Sequence, residues 1–144
     1  MQLRYVLYAS HLHQVMGLIE LRNLLSQSQS NNARDNLSGF LHIEDQIVLQ
    51  YLEGPQEKLG ATLARISEDD RHDQFRILAE GPLERRYFDG WKMALVESAA
   101  VSLTDLLGSE CQLVRDFADT NPTDLISFLS ANASLLRERP RLLS

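Results

Sequence analysis

A chain of 144 residues with a single cysteine, Cys111, has no internal disulfide framework and no thiolate zinc site. Cys111 is expected to be a small buried hydrophobe in a helix. No apolar run approaches the roughly 20 residues needed to cross a bilayer, and the start "MQLRYVLYAS" lacks the apolar stretch and small-residue cleavage site of a signal peptide. A cytoplasmic chain with no membrane association is the expectation. Basic residues are also short: 14 Lys and Arg stand against 20 Asp and Glu, a net charge of −6. That balance excludes a general nucleic-acid binder, and Arg85 and Arg86 are too few to reverse it. The chain contains no GxSxG, Walker or GxGxxG pattern and no HExxH. Its four histidines, His11, His13, His42 and His72, lack metal-ligand spacing, so no metal is expected. His11 and His13 read as part of a solvated loop, and "EDDR" as a solvated helix end.

What is present is a 44% hydrophobic, 24% charged chain, enough for one domain or a domain with an extension. "LRYVLYAS" reads as a strand with Leu3, Tyr5 and Leu7 on one face and Arg4, Val6 and Tyr8 on the other. From about Gln14 to Ser30 the residues Val15, Leu18, Ile19, Leu21, Leu24 and Leu25 follow helical spacing, with Asn31 and Asn32 suited to capping the end. "NLSGFLHIEDQIVLQYLEG" divides at Glu44-Asp45-Gln46 into a hairpin. Gly54-Pro55 opens a second helix with the apolar stripe Leu59, Leu63 and Ile66. "QFRILAEGPL" and "WKMALVES" supply two more strands.

The order β-α-β-β-α-β plus one strand predicts an α+β, ferredoxin-like domain with two helices on one face of a mostly antiparallel sheet. Both faces of its strands are apolar, so both need cover. Two amphipathic helices after Ser98, with Thr104 or Thr123 as N-caps, or a partner subunit, are expected on the second face. The division is therefore residues 1–97 as the core domain and 98–144 as a helical extension.

One residue resists this pattern. In "VLQYLEGP" strand alternation puts Gln50 on the face of Val48 and Leu52, an amide among aliphatics that needs a partner. Tyr8 shares a face with Val6, and the two can point at one site from two strands. Each has a bland reading taken singly: Tyr8 a core aromatic, Asn31 and Asn32 a cap, Trp91 and Met93 core filler, Gln50 bonded to backbone.

Taken together, "YVLYAS" with Tyr8, "SNNARDNLSGFL" with Asn31 and Asn32, "VLQYLEGP" with Gln50, "ARISEDDRH" with Arg65 and His72, and "RYFDGWKM" with Trp91 and Met93 resemble the BLUF domain, the blue-light sensor that uses FAD. The resemblance runs in register from about Leu3 to Val96. Val48 stands where phenylalanine is frequent, and Asp35, Leu37 and Ser38 vary the usual glycine-containing turn.

The resemblance implies FAD as cofactor, with its ring between the two helices against Leu24, Leu25 and Ile66. It implies that Asn32 and Asn31 read the flavin edge, and that Arg65 and His72 belong to the cofactor site, although Arg65 on a helix flank fits snorkelling equally well. Tyr8 would be the electron donor, Gln50 the relay, and Trp91 and Met93 the switch. The sensor would act on a downstream signalling protein rather than as an enzyme, since residues 98–144 are too few for a catalytic domain, and it would be oligomeric. The alternatives are a flavin-free interaction module and an acylphosphatase-like hydrolase. "YASHLHQVMG" lacks the glycine-rich anion cradle and arginine that such a hydrolase needs.

Overall fold

The structure is a computed structural model that describes residues 2–89, 94–97, 117, 120–127 and 130. Its elements run β1 (Leu3–Leu12), α1 (Leu18–Asp35), β2 (Ser38–Glu44), β3 (Ile47–Pro55), α2 (Gln56–Ser67), β4 (His72–Leu83) and β5 (Ala94–Glu97). The strands pair in the order β4-β1-β3-β2-β5, antiparallel except for the parallel pair β2 and β5. This is the α+β, ferredoxin-like arrangement expected from the pattern. The β2–β3 hairpin closes over Asp45 and Gln46, with Asp45 in the left-handed region at φ 53°. The Gln46 amide ties this turn to the end of β1 by donating to the Leu12 and His13 carbonyls at 3.0 and 3.2 Å.

Alternation along β1 and β3 builds two cores. Leu7, Ala9, Ile47, Leu49 and Tyr51 lie on one side of the sheet with Phe40. Val6, Tyr8, Leu12, Val48 and Leu52 lie on the other, under Leu24 and Leu25 of α1 and Leu59, Leu63 and Ile66 of α2. The first core is joined by Phe117 and Leu125, both buried, with Ile126 packed against it. The C-terminal segment thus takes up part of the second face. Within that segment, Asn121 accepts the Thr123 amide at 2.9 Å through its side chain, so the capping residue of the turn at 122–127 is Asn121 and not Thr123. Thr104 and Cys111 lie outside the described residues.

Three boundaries differ from expectation. Helix α1 starts at Leu18, and Val15, Leu18 and Ile19 are 67%, 64% and 75% exposed rather than part of the buried stripe. Helical spacing identifies a stripe but not how far along it another element provides cover. The helix also continues past Asn31 and Asn32 to Asp35, and Asn36 takes the left-handed cap position at φ 59°. Asn31 and Asn32 are therefore free of the capping role and project from the last turns. His11 belongs to β1 rather than to a loop, facing Asp73 across 3.7 Å.

Close approach fixes one glycine. A Cβ on Gly39 would sit 1.9 Å from the Tyr51 carbonyl oxygen, so β2 can lie against β3 at this point only without a side chain.

Candidate functional site

Strands β1 and β3 are antiparallel neighbours with Tyr8 directly opposite Gln50. Both side chains point to the helix side, and both are buried. The Tyr8 hydroxyl donates to Gln50 Oε1. Burial, with the negative charge of Asp69 adding to it, pushes the Tyr8 phenol well above its ordinary value. Tyr8 is thus a neutral donor aimed at an amide carbonyl. The donor end of that amide cannot also face Tyr8.

Phe75 holds the tyrosine ring from β4, with ring centroids 4.9 Å apart. It is placed there by a bulge: the β1–β4 register shifts between Ala9 and His11, and Gln74 takes a positive φ of 54°. A second shift lies between Leu7 and Tyr8. Strand β4 is therefore irregular on both sides of the tyrosine.

These groups open onto a cavity of ≈ 270 Å³ between the sheet and the two helices. Tyr8, Leu24, Asn31, Asn32, Gln50, Arg65, Ile66 and His72 all line it. Leu25, expected among them, instead packs against the core on that side. Asn32 is buried on the inner face of α1 and Asn31 is half-buried beside it. Arg65 donates to Thr62 Oγ1 at 3.1 Å and meets Asp35 at 3.5 Å, which holds a cation at the cavity edge. The neighbouring Arg34 guanidinium bonds the Asp35 carboxyl and keeps its pKa below the usual range. His72 Nε2 donates to the Ile66 carbonyl at 2.7 Å, which fixes its tautomer and joins the start of β4 to the end of α2.

Of the lining residues that the sequence does not single out for the site, three matter to its chemistry. Asp69 and Arg71, taken there as a solvated helix end, form a bonded pair at the mouth, and the Arg71 hydrogen bonds hold the Asp69 carboxyl at about 2 against the opposing effect of burial. Ser10 is fully buried two positions from Tyr8, lines the cavity, and its Oγ has no hydrogen-bond partner among the described residues. A serine two residues after the tyrosine on the same strand face was the available signal. Trp91 and Met93 lie outside the described residues. Among the described residues no group of His, Cys, Asp or Glu could hold a metal, and no helix is long and apolar enough to cross a membrane.

The cavity thus offers apolar walls, a buried phenol–amide pair, carboxamides on the helix side, an unsatisfied hydroxyl and a cationic rim. That set suits a planar ring whose edge carries both donors and acceptors.

A family model described as "BLUF: Sensors of blue-light using FAD" matches residues 3–94. The chain is 37% identical over 62 residues to the photoactivated adenylate cyclase subunit beta of Euglena gracilis, a match covering 43% of this chain and 7% of that protein. Among solved structures it resembles BlsA in its ground state, with a TM-score of 0.74 and 24% identity over 92% of this chain and 88% of that one. It also resembles BlrB, a BLUF protein in its dark state, with a TM-score of 0.72 and 22% identity over 92% of this chain and 96% of that one. These structural likenesses show the fold. The chain spans only a small part of the cyclase relatives it matches.

Proposed function

Because the chain belongs to the BLUF family, sensors of blue light using FAD, we propose that it is a blue-light photoreceptor that binds FAD non-covalently and signals by light-dependent contact with a downstream protein. The observation that carries this reading is the buried Tyr8–Gln50 hydrogen bond facing a cavity walled by the two helices. The orphaned Ser10 hydroxyl supports an occupied cavity, since a buried polar atom without a partner is costly and a bound ligand would satisfy it. This favours a sensor over a flavin-free module.

Asn32, with Asn31, would hold the polar edge of the ring, because a carboxamide carries a donor and an acceptor together. Leu24 and Ile66 would pack its flat faces. Arg65 and His72 also line the cavity, and the Arg65 guanidinium would suit the phosphate side of the cofactor. When bound, the flavin supplies blue-light absorption and, once excited, an acceptor for one electron.

Tyr8 would be the donor of that electron. Its phenol is held neutral by burial, and loss of an electron makes the hydroxyl strongly acidic, so its proton leaves along the existing hydrogen bond towards Gln50 Oε1. Gln50 answers by exchanging its ends: the amide that received through oxygen turns its NH₂ elsewhere, or changes tautomer, and the pattern of donors in the cavity is altered. Return of electron and proton to Tyr8 would leave a rearranged amide with no lasting redox change, and the altered hydrogen bonds would shift the absorption band slightly to the red.

Trp91 and Met93, ahead of β5, are the proposed switch through which the change reaches the extension at 98–144 and its partner surface, with the photosensor core at 1–97. Catalysis is not part of this chain's proposed role. The test is direct: purified protein should be yellow, and blue light should shift its flavin band reversibly to the red. A colourless protein that refuses added FAD sinks the sensor reading.

A further inference from the structure

Outside the cavity, on the opposite side of the sheet, lies a carboxylate held by four different residues. Glu53 is completely buried, three positions along β3 from Gln50. Its two oxygens take four donors: Oε1 accepts from the Tyr51 hydroxyl at 3.0 Å and the Tyr87 amide at 3.2 Å, and Oε2 from the Ser38 hydroxyl at 3.2 Å and the Phe88 amide at 2.9 Å. A carboxylate has about four acceptor positions, so this one is saturated. Two of the four donors are main-chain amides of one loop.

That loop is gripped again on each side of the carboxylate. Arg86 donates to Ser38 Oγ at 3.0 Å, to the Glu53 carbonyl at 3.3 Å and to the Asn36 carbonyl. Phe88 stands edge-on to Phe40 and Tyr51, at 5.4 and 5.1 Å between centroids. The chain then runs on to β5, whose first residue, Ala94, pairs with the same Phe40. A charged acceptor buried at such a point is expensive unless all its bonds are made, so the grip favours two arrangements, closed or released, over a graded one.

We propose that Glu53 is a positioning residue for the light signal: its carboxylate is the latch by which the strand carrying Gln50 holds the loop 86–88 and, through it, β5, and illumination opens that latch. The inference rests on the photoreceptor reading and adds a route to it. Gln50 and Glu53 share one backbone, with β1 and β2 on either side, so a new amide arrangement at Gln50 that displaces β3 moves the carboxylate relative to the two loop amides.

The experiment is hydrogen exchange on the full FAD-loaded chain, in the dark and under steady blue light, with the flavin band recorded on the same sample. The Tyr87 and Phe88 amides should exchange about tenfold faster in the light, the worth of one hydrogen bond to a charged group, and β5 should lose protection with them. In Glu53→Gln the NH₂ group replaces one of the two accepting oxygens, so at least one of the two amides should exchange at the lit rate already in the dark, and the light–dark difference in β5 should shrink while the red shift persists. Should that variant not fold, Arg86→Gln loosens the same loop from its half-buried side and is expected to raise dark exchange at both amides. An intact red shift with equal exchange in dark and light overturns the latch, as does a Glu53→Gln or Arg86→Gln protein that keeps the wild-type light–dark difference. Absence of the red shift in the unsubstituted protein overturns the sensor reading instead, and the light arm of the latch with it.

Discussion

Tyr8 and Gln50 are register partners on adjacent antiparallel strands, and the hydroxyl of one is bonded to the amide oxygen of the other in the interior of the domain. Both are buried, so removing one costs the other a hydrogen bond. Tyr8→Phe should retain the fold and bind FAD but show no red shift, and it should unfold about 1–3 kcal/mol more easily because Gln50 Oε1 loses its donor. Gln50→Leu should likewise lose the shift. Difference spectra and denaturant unfolding check both, and a normal shift in Gln50→Leu would remove the relay role.

Asn32→Ala should weaken FAD binding rather than folding. One buried donor–acceptor pair to a ligand edge corresponds to roughly a 10- to 100-fold rise in Kd by the usual cost of an unmade hydrogen bond. Fluorescence titration with FAD measures it. The more exposed Asn31→Ala should cost less.

Alkaline conditions should unfold the protein along a defined slope. The Tyr8 and Tyr51 phenols are both raised above their ordinary 10.0, Tyr8 by burial with Asp69 adding, Tyr51 by burial with Glu53 adding. A folded pKa above the unfolded one means that stability is fully present below pH 10.0 and is lost as pH rises beyond it, while the unfolded chain gives up protons that the folded chain retains. Each tyrosine should contribute about 1.4 kcal/mol per pH unit in that window. The phenolate absorbance of these two rings should therefore arrive together with unfolding and not before it.

Gly39→Ala should fold poorly or not at all, since the added methyl would meet the β3 backbone at Tyr51. The same change at Gly60, which has open space around its Cβ position, should be neutral or slightly stabilising within the helix. Thermal unfolding of the pair provides its own control.

Periodicity was enough to read both faces of β1 and β3, the hairpin and the stripe of α2, because a period of two or of 3.6 is written in every residue of those elements. It misplaced α1 at both ends. Val15, Leu18 and Ile19 carry the right spacing but lie beyond any cover, and Asn31 and Asn32 look like a terminus because asparagine is a poor helix former, although they stay helical with their side chains turned to a cavity. Gln50 was legible as a misfit in an aliphatic strand. Phe75 and Asp69 were not, since each becomes part of the site only through pairing, Phe75 by a bulge in β4 and Asp69 by its bond to Arg71, whereas Ser10 was marked by its place two residues after Tyr8. Glu53 was hidden for a related reason, because its partners in the 86–88 loop are distant in sequence and two of them are main-chain atoms.

The closure of the outer core by Phe117 and Leu125 has a consequence for the order in which the molecule is made. Leu7, Ala9, Phe40, Ile47, Leu49 and Tyr51, on which they pack, come from the first half of the chain, so this core is finished only when residues far along the sequence have been released by the ribosome. Contacts of such long sequence separation form late and slowly, and an uncovered apolar sheet is what chaperones bind and what aggregates. Expression cut short before residue 117 should therefore give less soluble protein, even though every described strand and helices α1 and α2 are present in it.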